Sequence, residues 1–137
     1  MRIGDLMKTR LETVRDSDTL SAAIRTLREK RIKHLPVLNA AGRLVGVVTD
    51  RDLKRANASD VGTLEIHDLL YLLEKVKVRQ IMTRNPLVAR PEAGVGAAAR
   101  IMVDRGIGCL PVVKDKKLLG MVTTTDLLRR LAKVEIE

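Results

Sequence analysis

The 137-residue sequence is almost without aromatic side chains. It has no tryptophan and no phenylalanine, and Tyr71 is its single tyrosine. Proteins that bind single-stranded nucleic acid stack bases on aromatic side chains, so the composition argues against that class. Cys109 is the single cysteine, which excludes an internal disulfide and a cysteine-based zinc site. The two histidines, His34 and His67, are far apart, so a metal site would also need carboxylates.

Long apolar segments are also absent. No run approaches the ~18 residues that a membrane-spanning helix needs, and the N-terminus lacks the apolar core of a signal peptide. We therefore expect a cytoplasmic protein with no membrane partner. Lysine and arginine number 26 against 17 acidic residues, a formal net charge of +9. This excess attracts anions such as nucleic acid, anionic lipid or phosphorylated metabolites, and it does not choose among them.

The chain repeats itself. The segment His34–Leu38 recurs as Cys109–Val113, and Leu44–Leu53 recurs as Leu118–Leu127. Similarity at a fixed spacing is typical of duplicated structural units. The predicted organisation is a first repeat over 1–56, a linker over 57–77 and a second repeat over 78–137.

Each repeat is expected to have the order β-α-β-β-α, which gives an α/β fold of the α+β kind. A helical stripe of apolar residues starts at Leu20, after two candidate caps, Asp18 and Thr19, and the stripe recurs in the second repeat. Pro36 near the start of a strand predicts an edge position or a bulge. Leu44–Val48 is apolar on both faces and should be buried on both. The apolar spacing within 64–76 predicts a helix in the linker.

The repeated motifs resemble a tandem pair of CBS domains, the Bateman module. Leu35-Pro36-Val37 and the Gly46–Leu53 segment carry the likeness in the first repeat. Leu110-Pro111-Val112 and Gly120–Leu127 carry it in the second. The linker is similar to that of stand-alone pairs of the acetoin-utilisation-protein type.

This resemblance implies a regulatory binding module without chemistry of its own. Two repeats would pack through their sheets about a pseudo-twofold axis, with a helical linker. The resulting clefts would bind adenosine-containing ligands, namely AMP, ADP, ATP or S-adenosylmethionine, and no cofactor would be required. The family resemblance also implies a homodimer that signals to a partner protein, which the sequence does not identify.

Thr49 and Asp52, with their equivalents Thr123 and Asp126, are the first candidate ligand-binding residues. A carboxylate can accept hydrogen bonds from both vicinal hydroxyls of a ribose, and a threonine can donate to a phosphate. A helix N-terminus beside them would favour an anion. The alternative is structural, because Thr-x-x-Asp at the start of a helix is close to a capping box.

Positive charge is expected to be greater at the first cleft. Arg51 lies between Thr49 and Asp52 and could clamp a phosphate, whereas the second repeat has Thr125 there. Lys33 likewise corresponds to Gly108. The alternative for Arg51 is a solvated charge at the end of a helix.

The resemblance places an adenine-reading backbone beside the strand that begins each Leu-Pro-Val motif. The candidate residues there are Lys33, His34, Pro36, Gly108 and Pro111. Apolar walls for the adenine are predicted from Val14, Val88, Ile32 and Ile107. The alternative for these four is ordinary core packing, and the alternative for His34 is a wall or surface position.

A nucleic-acid-binding protein is the alternative function, and the net charge supports it. The missing aromatic residues and the absence of a helix-turn-helix or RNA motif oppose it. The sequence contains no phosphate loop of the form GxxxxGK[ST] and no nucleophile–base pair, so we do not expect an enzyme.

Overall fold

The computed structural model describes residues 1–58, 71 and 73–135. Within them the helices are α1 (Ile3–Leu6), α2 (Leu20–Glu29), α3 (Asp50–Ala58), α4 (Val78–Ile81), α5 (Val95–Arg105) and α6 (Thr124–Glu135). The strands are β1 (Val14–Arg15), β2 (His34–Leu38), β3 (Leu44–Thr49), β4 (Thr83–Arg84), β5 (Cys109–Lys114) and β6 (Lys117–Thr123). The linker helix predicted over 64–76 lies largely outside the described residues.

The chain forms two compact units. The central unit is Glu12–Pro86, and the terminal unit joins Met1–Leu11 to Leu87–Glu137. Each unit therefore contains the main part of one sequence repeat and the leading segment of the other. The mixed α/β fold class predicted from the sequence is confirmed.

The central unit contains a four-stranded sheet in the order β1-β2-β3-β4. β1 runs parallel to β2, while β2–β3 and β3–β4 are antiparallel. Asn39 closes the turn between β2 and β3, because its Oδ1 accepts from the backbone N–H of Ala41 and Arg43, each at 3.0 Å. β2 is internal, so the structure excludes the edge position, one of the two alternatives predicted from Pro36. The sheet instead has an irregular register between Val37 and Leu38.

Helix α2 covers this sheet with its apolar stripe. Thr19 caps the helix, since its Oγ1 accepts from Ala22 N–H at 3.1 Å. Leu20, Ala23 and Leu27 are buried on the stripe. Burial of such side chains contributes about 1.5–3 kcal/mol each for the larger ones. The cap and stripe predicted from the sequence are confirmed.

The terminal unit is built around the β5–β6 hairpin. Two isolated β-bridges flank this hairpin. One is antiparallel, between Lys8 and Met121, and the other is parallel, between Ala89 and Val112. A buried cluster fills the space between the hairpin and α5. Its members are Ile3, Ala89, Ala98, Met102, Leu110, Val112 and Val122.

Glycines in β3 and β6 allow the leading segments of the repeats, residues 78–86 and 1–11, to approach these strands closely. A Cβ added at Gly46 would lie 2.8 Å from the Thr83 carbonyl oxygen, and one at Gly120 would lie 2.7 Å from that of Lys8. Real Cβ atoms essentially never come so near to backbone. The glycine of each repeated motif is thus required by the strand segment that crosses it.

Candidate functional site

The motif of the central unit lies where β3 ends and α3 begins. Thr49 is the last residue of β3, and Asp52 is in the first turn of α3. Asp52 Oδ2 accepts from Thr49 N–H at 2.9 Å, and Thr49 Oγ1 accepts from Asp52 N–H at 3.1 Å. This reciprocal pair is a capping box, so the structural role considered for the motif is confirmed. Asp52 is nevertheless a carboxylate that is only 8% exposed.

Thr83 also contacts the Asp52 carboxylate. Its Oγ1 lies 3.1 Å from Asp52 Oδ1 and 3.3 Å from Oδ2. Thr83 is positioned by β4, where it pairs with Val47 of β3. The Thr83 hydroxyl thus donates to this carboxylate, whose remaining lone pairs can accept further hydroxyl donors.

The motif of the terminal unit repeats this geometry. Asp126 Oδ2 accepts from Thr123 N–H at 2.9 Å and from Thr123 Oγ1 at 3.0 Å. Thr123 Oγ1 in turn accepts from Asp126 N–H at 3.2 Å. Lys8 takes the place that Thr83 has in the central unit, with its Nζ 3.5 Å from Asp126 Oδ1. Asp126 is 9% exposed.

The start of β2 lies beside the Thr49 motif. His34 pairs with Thr49 across the sheet, and the Lys33 carbonyl accepts from Asp50 N–H at 3.0 Å. Lys33 is exposed and Ile32 is half-buried against the core of the central unit. Burial lowers the pKa of His34, and the charge of neighbouring Lys33 lowers it further.

The terminal unit brings the corresponding residues together. The Gly108 carbonyl accepts from Thr124 N–H at 3.0 Å, and Cys109 pairs with Thr123. Ile107 packs against the core cluster as a partly buried residue. The peptide groups of 32–34 and 107–109 therefore lie next to the two buried carboxylates.

The candidate wall residues Val14 and Val88 are not equivalent positions. Val14 pairs with Val37 and is 5% exposed, which places it in the core. Ala89 makes the matching bridge in the terminal unit, and Val88 is 47% exposed. The residue that corresponds to Val88 is therefore Thr13, which is exposed.

Pro36 and Pro111 are fully buried. Their side chains shape the strands beneath the motifs and do not line an open surface. Arg51 is exposed in the first turn of α3, beside the Asp52 carboxylate in sequence.

Sequence reasoning missed Lys8 and Thr83. Both follow a methionine in the leading segment of a repeat, Met7 and Met82, and that echo was the available signal. Their role stayed hidden because each residue contacts the carboxylate of the other repeat's motif, which is remote in sequence. Lys8 adds positive charge near the second motif, although it belongs to the first sequence repeat.

Among the described residues, hydrogen bonds and the Lys8–Asp126 ion pair connect the side chains of these two motifs to their neighbours. No group of three or more histidine, cysteine, aspartate or glutamate side chains there could hold a metal ion. None of the described helices is long and apolar enough to cross a membrane. Each motif instead presents a buried carboxylate at the start of a helix, next to exposed backbone and half-buried apolar side chains.

Comparison with known proteins agrees with the repeat found in the sequence. The family model of the CBS domain matches residues 3–59 and 78–133. A CBS domain-containing protein from Dictyostelium discoideum is 38% identical over 96% of this chain and 92% of its own length. A homoserine O-acetyltransferase from Methanohalobium evestigatum is 33% identical, and the matched segment covers 93% of this chain but 23% of that enzyme.

Solved structures with the same architecture include complexes with adenosine compounds. The CBS domain pair of protein MJ0100, in complex with 5′-methylthioadenosine and S-adenosyl-L-methionine, has a TM-score of 0.83 at 27% identity, covering 98% of both chains. CBSX2 in complex with AMP has a TM-score of 0.81 at 31% identity, also covering 98% of both. A putative acetoin utilization protein from Vibrio cholerae has a TM-score of 0.81 at 27% identity, covering 98% of this chain and 93% of that one. Two matched segments, in the order and spacing of these pairs, establish that this chain belongs to the CBS domain family as a tandem pair.

Proposed function

We propose that this chain is a non-catalytic regulatory module that binds an adenosine-containing ligand, with one site in each unit. The observation that carries the proposal is the pair of buried carboxylates, Asp52 and Asp126, each of which accepts from a threonine backbone N–H at the start of α3 or α6. Burial of a carboxylate is costly unless hydrogen bonds compensate it, so two such groups at equivalent positions indicate a shared task. The AMP complex of CBSX2, at 31% identity, supports adenosine as the ligand class.

Ribose recognition is the task that we assign to the carboxylates. Each retains lone pairs beyond those used by the capping box, and a vicinal diol offers two hydroxyl donors to them. Thr49 accepts from Asp52 N–H through its hydroxyl oxygen, which leaves the hydroxyl hydrogen able to donate to a phosphate. In the terminal unit the Thr123 hydroxyl already donates to Asp126 Oδ2 at 3.0 Å, so it would have to turn from that carboxylate to reach a phosphate.

The adenine would lie against the strand starts. Ile32 and Ile107, half-buried beside the motifs, provide apolar contact, and Val88 with its equivalent Thr13 faces solvent on the neighbouring segment. The backbone at His34 and Gly108 supplies the donors and acceptors that read the adenine edge. Val14 is assigned to the core and not to this wall.

Phosphate binding is assigned to exposed cations near the Thr49 motif. Arg51 presents a planar fork of donors suited to phosphate, and Lys33 adds a second positive charge. The preference for AMP, ADP or ATP then depends on how many phosphates these side chains reach. No cofactor takes part, and the nucleotide acts as the signal.

We propose that the protein forms a homodimer and that this homodimer transmits the signal to a partner protein. Helix α6 exposes three apolar side chains at a spacing of three residues, Leu128 at 64%, Leu131 at 54% and Val134 at 56%. Leu127 of the same helix packs against the core of the terminal unit instead. Exposed apolar rows of this kind mark interaction surfaces, and a second copy buries the row against itself.

Calorimetric titration of the wild-type protein with AMP, ATP and S-adenosylmethionine tests the proposal. Saturable binding of at least one of them, with up to two sites per chain, is the expected result. The absence of heat and of thermal stabilisation with all three ligands would refute an adenosine-binding function.

A further inference from the structure

The two carboxylates differ in the residue that the leading segment brings to them. Lys8 and Thr83 are equivalent, since both follow a repeated methionine and both lie against a β-strand glycine, Gly120 or Gly46. Thr83 gives Asp52 a neutral hydroxyl donor. Lys8 gives Asp126 a charged ammonium group.

We propose that Lys8 is a specificity-determining residue that makes the Asp126 site select phosphorylated over unphosphorylated nucleosides. The inference depends on the proposed function, because it assigns a ligand preference to one of its two sites. The Asp52 site, which has Thr83 in the same position, lacks this particular selection.

Lys8 competes with a ribose hydroxyl for the Asp126 carboxylate. Asp126 Oδ2 already accepts two hydrogen bonds from Thr123, so Oδ1 is the oxygen best able to receive a ribose hydroxyl. Lys8 Nζ faces that oxygen at 3.5 Å. An uncharged nucleoside must therefore share or displace an ammonium group, which costs affinity.

The Lys8 side chain can also move away from that carboxylate. It is 57% exposed while that of Asp126 is 8% exposed, and the Lys8 backbone is fixed by two hydrogen bonds to Met121 at 2.9 and 3.0 Å. A lysine side chain is long and carries three donors, so the ammonium group can move from the carboxylate to a nearby phosphate. A phosphate on the same ribose thus draws Lys8 away and frees Oδ1 for the diol.

The size of the effect follows from the exposure of the pair. Partly exposed ion pairs contribute about 0.2–1 kcal/mol, which corresponds to roughly 1.5- to 5-fold in affinity. Loss of the competition raises adenosine affinity by that factor, and loss of the phosphate contact lowers AMP affinity by a similar factor. The ratio of AMP to adenosine affinity should therefore fall by roughly 2- to 30-fold when the charge is removed.

Exchange of the two equivalent residues gives the test. Lys8→Thr is made in an Asp52→Asn background, so that titration with adenosine and AMP reports mainly the Asp126 site. Thr83→Lys in an Asp126→Asn background is the reciprocal variant. Lys8→Arg is the control that keeps the charge, and Lys8→Met replaces Lys8→Thr if the latter does not fold.

Lys8→Thr should lower the AMP-to-adenosine ratio, Thr83→Lys should raise it, and Lys8→Arg should keep it near the value of its background. A ratio that changes less than twofold in both exchange variants, while the background proteins bind AMP, overturns the role of Lys8. If wild-type protein binds S-adenosylmethionine but neither adenosine nor AMP, the proposed function stands and the phosphate selection by Lys8 is overturned. If it binds none of adenosine, AMP, ATP and S-adenosylmethionine, the proposed function itself fails, and the inference falls with it.

Discussion

Substitution of Asp52 separates ligand recognition from helix capping. Asp52→Asn keeps an oxygen that can accept from Thr49 N–H, and its amide can donate to the Thr83 hydroxyl, so the contacts within the protein survive. It removes the negative charge that would strengthen the bonds from a ribose diol. Asp52→Ala removes both functions.

The expected magnitudes differ between the two variants. Hydrogen bonds to charged groups contribute roughly 1.5–3 kcal/mol against about 1 for neutral ones, so Asp52→Asn should weaken AMP binding by about 5- to 30-fold. Its unfolding temperature without ligand should change little. Asp52→Ala loses a cap and leaves donors without a partner, which costs about 1–2 kcal/mol and lowers the unfolding temperature by roughly 3–10 °C.

Calorimetry with AMP and thermal unfolding without ligand are the paired assays. Asp126→Asn is the matched control, because it tests the second site with the same chemistry. If Asp52→Asn and Asp126→Asn both bind AMP as wild type does while Asp52→Ala is destabilised, the carboxylates serve only as caps. The ribose assignment would then be wrong.

Three further predictions concern assembly, backbone strain and pH. Glutamate at both Leu128 and Leu131 should halve the molar mass seen by light scattering, and an unchanged mass places the dimer contact elsewhere. Arg31→Gly should raise the free energy of unfolding measured by urea denaturation by about 0.5–1 kcal/mol, because Arg31 has φ 53°; a lower free energy of unfolding would mean that its side chain contributes more. The lowered pKa of His34 means that the unfolded chain takes up its proton first, so stability should fall as pH drops below about 6.5. His34→Gln should reduce that loss, and an equal loss would contradict the assignment.

Local patterns predicted the elements well. The stripe starting at Leu20 and its cap at Thr19 became α2, and the two-sided apolar run at Leu44 became β3. Such features depend on the spacing of residues close in sequence. The family motifs also placed Thr49 beside Asp52 at the start of a helix, and the structure has them there.

Contacts between distant segments were not predictable in the same way. Val14 is equivalent to Ala89 and not to Val88, and this equivalence is set by the register of the parallel strands. A shift of one residue in that register reverses which side chain is buried. The contribution of Lys8 depends on which unit its segment joins. Neither property is encoded in the apolar spacing of one repeat.

The exchange of leading segments defines what can fold by itself. A fragment cut at the sequence repeat, 78–137, would carry a segment that belongs to the central unit and would lack Ile3, which is fully buried in the terminal core. Such a fragment could complete its core by receiving the leading segment of another molecule, which is a domain swap. A circular permutant that continues from Glu137 into Met1–Leu11 would contain every segment of the terminal unit. We therefore expect a permuted repeat, and not a sequence repeat, to be the smallest piece of this protein that contains a whole unit.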